Sequence, residues 1–499
     1  MYRSHSLWNL TVGFTSAIAA LSLAVPVGSF AQTSTAPVFS NATASSGTSF
    51  QRTLSWGSTW IDHNGDGDLD LFANRHWKRP RFYLWRAGRY VPSPLTFFSG
   101  SHRFFDRHSC AWGEANGDGR ADFFCDSGAQ MGMGTGPNQL WIQTASGLSN
   151  RAKAYRVRDR YARSRTVNWL DYDSDGDLDI FTASKLRRGF PNRLFRNDRG
   201  TFTRVNAGLA REMNGLGSTW SDWDNDGDPD LLVLRYHPAA ALAYENRGGV
   251  FAGVAVAGVT DRYWGSASWG DYDGDGWTDL QLVNHNRSVI LHNNGGVFIR
   301  AHERRLARGA SSTWIDVDND GDLDSYVVQA REAGVNRPDF FLINSSGAFT
   351  ARFDPSFRGA RAGSGESASV GDYNRDGRLD LFVTNGATIF EESLLEGPWT
   401  LLRNRSAGGN WARIFVRGAD WNPWGFGGRL SVSADGLAYE REITDGVNFR
   451  SQSQVGQLVL GLGSAVSADV QLAWPEGGSD CVTVDARTSV EVTRGSSPC

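Results

Sequence analysis

Lysine is almost absent from this 499-residue chain: Lys78, Lys153 and Lys185 stand against 47 arginines. The imbalance fits a high-GC coding sequence as well as a surface suited to anions and carbohydrates. The formal net charge is only −4, and no basic run marks a nucleic-acid partner. Familiar catalytic signatures are missing too. There is no G-x-S-x-G elbow, no H-E-x-x-H helix and no P-loop. After the N-terminal lead, no apolar run is long enough to span a bilayer. Cysteine is limited to four residues, and methionine to four.

What is abundant points to short strands and tight turns. Glycine reaches 58 residues and tryptophan 19. Many glycines with many aromatics favour strands over helices. The N-terminus reads as an export signal: a polar lead with Arg3 and His5, an apolar run from Leu10 to about Val27, then Ser29-Phe30-Ala31 as the cleavage site. Residues 1–31 are therefore expected to be a signal peptide, with an uncleaved anchor as the alternative. No cysteine follows the run, which argues against a lipid anchor. Export makes the compartment oxidising, secreted or periplasmic. Disulfides Cys110–Cys125 and Cys481–Cys499 are expected there, against four free thiols. Sequons occur at Asn41, Asn286, Asn344 and Asn404, of consequence only in a eukaryotic host.

Self-similarity dominates the remainder. An acidic nonamer begins at Asp62, Glu114, Asp171, Asp222, Asp271, Asp316 and Asp372, at intervals of 52, 57, 51, 49, 45 and 56 residues. That period accommodates a four-stranded propeller blade. Two residues before each nonamer stands Trp60, Trp112, Trp169, Trp220, Trp269 or Trp314, with Val370 in the seventh. Two further back the residues are mostly small: Ser58, Cys110, Ser218, Ala267, Ser312 and Ala368, with Val167 larger. Positions two apart share a strand face, and small residues suit strands crowding an axis. Apolar runs such as Leu69 to Ala73 follow the loops as second strands. Third strands such as Asn192 to Asn197 and fourth strands near Gly200-Thr201-Phe202 complete each unit. The seventh unit lacks a fourth strand, and Pro37-Val38-Phe39-Ser40 supplies one that would close the ring.

The loops carry chemistry. In the third copy Asp171, Asp173, Asp175 and Asp179 place oxygens at positions 1, 3, 5 and 9, with Asp177 at position 7. The other copies align as Asp62, Asn64, Asp66, Asp68 and Asp70; Glu114, Asn116, Asp118, Arg120 and Asp122; Asp222, Asp224, Asp226, Asp228 and Asp230; Asp271, Asp273, Asp275, Trp277 and Asp279; Asp316, Asp318, Asp320, Asp322 and Asp324; Asp372, Asn374, Asp376, Arg378 and Asp380. Position 6 is glycine throughout, which permits the turn. Position 7 accepts Arg120 and Trp277, so it is read as a backbone-carbonyl ligand. An all-oxygen shell on an irregular loop suits Ca²⁺ over Mg²⁺ or soft metals. About seven calcium sites are expected, the second and seventh weakest. The loops hold 29 of the 54 acidic residues. Outside them the chain is basic, and folding is expected to depend on the ion.

The D-x-[DN]-x-D-G-x-x-D loops and their Leu-Asp-Leu-Phe followers resemble the FG-GAP/VCBS repeats of integrin-α-type propellers over residues 37–406. The tail resembles the ASPIC/UnbV domain through Asn410-Trp411, Gly427-Gly428-Arg429-Leu430, Ser451-Gln452-Ser453, Leu460-Gly461-Leu462-Gly463 and Trp474-Pro475. Together they resemble the cartilage acidic protein family and its bacterial relatives. The resemblance implies an extracellular calcium-stabilised interaction module.

The expected architecture is all-β: a seven-bladed propeller over 32–406, then a small β-sandwich-like domain over 407–499. The second strand of each blade runs away from its loop. Its far end places Arg75, His76, Lys185, Arg235, His237, His285, Asn286, Arg331 and Asn385 on the opposite rim. This ring is the expected face for a protein or glycan ligand. The alternative is an enzyme using the propeller mouth, with His76, His237 or His285 as acid/base groups.

Overall fold

Short apolar runs broken by Gly, Asn and Asp leave little room for helices, and among the described residues the regular structure is strand. The computed structural model describes residues 37–49, 53–76, 78–94, 106–128, 136–185, 191–209, 214–260, 262–332, 335–353, 364–386 and 396–499. The expected signal peptide lies outside them. No helix among the described residues is long and apolar enough to cross a membrane.

Seven sheets follow one another, six of them antiparallel and four-stranded; the first blade's four strands belong to a six-stranded sheet that two strands of the tail extend. Their innermost strands are Ser55–Ile61, Cys110–Gly113, Ser164–Leu170, Gly215–Ser221, Ser266–Gly270, Gly309–Ile315 and Gly365–Gly371. Each packs beside the next, and the last packs beside the first, so the sheets form a closed ring. The seventh sheet takes its outer strand from the N-terminal segment: Phe39 pairs with Asn404 and Asn41 with Leu402. The small residues on the inner strands do line the axis, where their hydroxyls bond between blades. Ser58 Oγ lies 2.7 Å from Ser369 Oγ, and Thr166 Oγ1 lies 2.7 Å from Ser218 Oγ.

Two recurring polar contacts join blade to blade. The first is the indole before each loop. Trp112 Nε1 donates to Thr59 Oγ1, Trp169 to Ala111 O, Trp220 to Trp169 O, Trp314 to Ser268 O and Trp60 to Ser369 Oγ. Each reaches the inner strand of the preceding blade. Burying one such ring removes about 150–250 Å² from water, an upper figure of roughly 4–6 kcal/mol. Trp269 instead stacks on Trp223 at 5.6 Å. The second contact comes from the end of the third strand. Asn197, Asn246, Asn293, Asn344 and Asn404 donate Nδ2 to the carbonyls of Ala115, Tyr172, Trp223, Tyr272 and Val317, in the preceding loop. Gln143 does the same to His63 O. In the first blade Trp85 takes that place, and its ring packs 5.1 Å from Tyr373. Asn344 and Asn404, two of the four sequon residues, are therefore buried amides. Asn41 and Asn286 are exposed.

The tail forms two sheets, with strand orders Gln457–Gly463, Asn410–Arg417, Ser489–Thr493 and Leu437–Glu442, Arg429–Ala434, Ser467–Ala473, Ser479–Asp485. Between them a hairpin, Val447–Asn448 and Ser451–Val455, enters the ring axis. Its second strand runs parallel to Ser55–Ile61, pairing Thr59 with Gln452 and Ile61 with Val455. An inner strand exposes an unpaired edge to the channel, and the tail covers it. Trp112 N–H donates to Gln452 Oε1, Trp169 N–H to Asp445 Oδ2, and Val370 N–H to Ser453 Oγ. Ser451-Gln452-Ser453 is thus part of the axial plug. Both expected disulfides are present, Cys110–Cys125 across the second blade and Cys481–Cys499 at the C-terminus.

Truncating Asn293 to Ala leaves the carbonyls of Trp223 and Thr278 without this partner. Urea unfolding should show a loss of about 2–3 kcal/mol. A loss below about 0.5 kcal/mol would remove the amide contact from the account of blade adhesion.

Candidate metal centres

Each acidic nonamer joins the first strand of a blade to its second, at one face of the ring. The loop curls by a repeated device. Position 6 glycine has positive φ in every copy, from 71° at Gly119 to 94° at Gly227 and Gly321. Position 4 is left-handed as well, as Gly65, Gly117, Ser174, Asn225, Gly274, Asn319 and Arg375. The sequence reading identified the first of these and missed the second, although Gly, Asn and Ser at position 4 signal it. The curl turns backbone N–H groups inward. Position 6 donates to the position 1 carboxylate in six copies, as Gly176 does to Asp171 Oδ2 at 2.9 Å. Position 7 donates to the position 5 carboxylate in all seven.

The second copy departs from this pattern. Glu114 is one methylene longer, and its Oε1 accepts from Asn116 and Gly117. Position 9 is fully buried in every copy. Its carboxylate ties the loop to the third strand: Asp179 Oδ1 accepts from Asn197 N and its Oδ2 from Tyr172 N. Position 7 side chains point away. Asp177, Asp228 and Asp322 accept from Arg199, Gly248 and Ser346, in the turn between third and fourth strands.

These curls converge carboxylates. Ligand atoms of Asp171, Asp173 and Asp179 lie within 4.8 Å of one another, as do those of Asp222, Asp224 and Asp230, and of Asp271, Asp273 and Asp275. In the fifth loop His292 joins Asp273 and Asp279, a residue the sequence reading did not include. Buried oxygens without a hydrogen-bond partner mark the fit to a cation: Glu114 Oε2, Asp173 Oδ1, Asp224 Oδ1, Asp316 Oδ1 and Asp380 Oδ2. Burial pushes Asp171 and Asp316 up to about 7, Asp320 to about 8, and Asp230 and Asp279 to about 9. Convergence of carboxylate oxygens of this kind matches a hard divalent ion such as Ca²⁺. Arginines already supply charge in the seventh and first copies. Arg413 pairs with Asp372 and Arg403 with Asp376 in the seventh loop, and Arg375 pairs with Asp68 in the first.

The tail lies against this same face. Arg429 bonds Asp222 O and Gly276 O, Arg441 bonds Asp271 O and Gly321 O, and Gln457 bonds Gly67 O. A side chain at Gly377 or Gly117 would collide with Trp411 or Trp421. Part of the loop face is thus an internal interface.

An FG-GAP-like repeat is matched at residues 62–125, 171–233, 222–282, 271–327 and 316–383, more than half of the chain. The chain belongs to the FG-GAP-like repeat family. Each matched segment of the FG-GAP-like chain begins on position 1 of an acidic loop and runs through the next loop into its second strand, except that the last four overlap. No curated protein matches. Solved structures similar to it include a lectin from Agrocybe aegerita that recognises non-reducing terminal N-acetylglucosamine (14% identity, 70% of this chain and 90% of that one, TM-score 0.43). YCF48 from Cyanidioschyzon merolae is similar at 7% identity (70% and 95%, TM-score 0.42). The V. cholerae biofilm matrix protein Bap1 is similar at 12% (88% and 73%, TM-score 0.31).

At the opposite rim the nine expected ligand-face residues separate. Arg75, His76 and Asn385 are buried. Arg75 bonds Thr53 Oγ1, and Asn385 Nδ2 bonds Pro398 O. Lys185, Arg235, His285 and Arg331 are half-buried, and His237 and Asn286 exposed. Lys185 lies over the Tyr236 ring, Arg165 Nε donates to the Tyr236 hydroxyl, and Tyr263 stands between His237 and His285. The aromatic partners Tyr236 and Tyr263 follow no repeat and went unread in the sequence.

Raised carboxylate pKa values mean that the ion-free folded chain binds more protons than the unfolded one. Its stability should fall as pH rises from about 5 to about 8. With saturating Ca²⁺ the trend should reverse, since deprotonated carboxylates bind the ion. Melting temperatures in chelator and in calcium across that range test this; parallel curves would contradict it.

Proposed function

We propose that the chain is an exported binding module in which calcium is structural and recognition occurs at the rim opposite the loops. One observation supports this above the rest. The tail packs on part of the loop face, burying much of the sixth loop, and its hairpin fills the axis, which favours the far rim as the face left to a partner. Seven Ca²⁺ ions, one per loop, hold the loop curls closed. The second and seventh bind most weakly, since Glu114 alters one curl and Arg413 and Arg403 occupy the other. The two disulfides suit a secreted or periplasmic setting. The tail motifs and the propeller together are those of an ASPIC/UnbV-bearing protein similar to cartilage acidic protein. The ligand is an extracellular protein or glycan, met by Arg235, His237 and Asn286 beside the rings of Tyr236 and Tyr263. Polar groups flanking aromatic faces are what sugar and peptide surfaces require.

An enzyme at the same mouth is the second reading. The buried His76, Asp106 and His108 favour it, because histidines and a carboxylate gather there.

The test is a glycan and protein array on calcium-loaded chain, followed by the triple variant R235A/H237A/N286A. Binding should weaken by at least about tenfold, roughly 1.4 kcal/mol, with calcium stoichiometry near seven and its affinity unmoved. Loss of calcium affinity alongside binding would defeat the assignment of separate faces.

A further inference from the structure

His76 follows the second strand of blade one, while Asp106 and His108 lead into the first strand of blade two. Each is under 5% exposed. Both imidazoles turn Nε2 toward one carboxylate oxygen: His76 lies 2.5 Å and His108 2.9 Å from Asp106 Oδ1. One ligand atom from each lies within 4.8 Å of the others. This donor set combines two nitrogens with one oxygen, whereas the fifth loop joins a single imidazole, His292, to two carboxylates.

The arrangement is held on several sides. The Trp56 ring stacks on His76 at 3.7 Å and meets His108 edge-on at 4.2 Å. Asp126 Oδ1 accepts the N–H groups of His108 and Ser109, and Gly128 N–H donates to Asp106 O. Only glycine fits at 128, because a Cβ there would stand 2.4 Å from His108 Nε2 and 2.9 Å from Asp106 Cγ. Donor atoms fixed by outer contacts are what a metal site needs before the ion arrives.

We propose that His76, His108 and Asp106 form a site for one divalent transition-metal ion at the propeller mouth, separate from the calcium loops. Two imidazoles and a carboxylate match Zn²⁺ or Fe²⁺ sites with open positions, and they suit Ca²⁺ poorly. At bond lengths of about 2.0–2.2 Å the ion replaces the two hydrogen bonds by coordination after a small outward shift of the rings. Three protein donors leave further coordination positions for water or a ligand. This inference does not rest on the calcium reading.

The full chain, saturated with Ca²⁺ to fill the loops, is titrated with Co²⁺ and examined by visible and X-ray absorption. One Co²⁺ per chain carrying two imidazoles is expected. The variants H76Q and H108Q should weaken uptake by more than about 100-fold, since losing an outer partner alone costs about 10–100-fold. H292Q should leave uptake unchanged. No uptake in excess calcium, a single imidazole, or loss through H292Q would overturn the site, placing any binding in the fifth loop. If either variant fails to fold, the imidazole count in the unmodified chain decides.

Discussion

The structure depends on the need to balance buried carboxylates. Each blade sends an aspartate at position 9 into full burial, and in the third and fourth copies the aspartates at positions 1 and 3 converge on it. Ionised carboxylates in such surroundings repel one another and lose hydration, so they demand protons or a cation. Backbone N–H groups from the left-handed turns satisfy part of the demand. Arginines satisfy more of it in the first, fourth and seventh copies. The unpartnered oxygens at Asp173, Asp224, Asp316 and Asp380 define what is left over.

That demand is linked to assembly of the whole molecule. Position 9 fixes the third strand, whose terminal Asn reaches the preceding loop, so disturbing one loop reaches two blades. The tail adds a second coupling. Its arginines grip loop carbonyls while its hairpin satisfies the inner strands through Asp445, Gln452 and Ser453. Loops, ring and tail therefore stabilise one another through shared groups, and their contributions should not add independently.

Much of the ring was legible in the sequence because the information is local and repeated. The period, the loop register, the strand after each loop and the missing outer strand at Pro37–Ser40 all follow from aligned copies. The inter-blade amide was legible in principle: Asn-x-x-Gly recurs at Asn197, Asn246, Asn293 and Asn344, where the Asn Oδ1 accepts from the Gly N–H. The axial plug was not, since Gln452 meets Trp112 across 340 residues with no pattern to announce it. The rim was read as a uniform ring because strand direction alone places residues at one end. It does not decide burial, and Arg75, His76 and Asn385 turned inward. Asp106 and His108 become neighbours of His76 only through the closure of blade two on blade one.

Hydrogen exchange followed by mass spectrometry tests the coupling most directly. The loops at 171–179 and 316–324 and the hairpin at 445–455 are compared with calcium and with a chelator. Chelation should deprotect loops and hairpin together. Exposed loops beside an unchanged hairpin would contradict it.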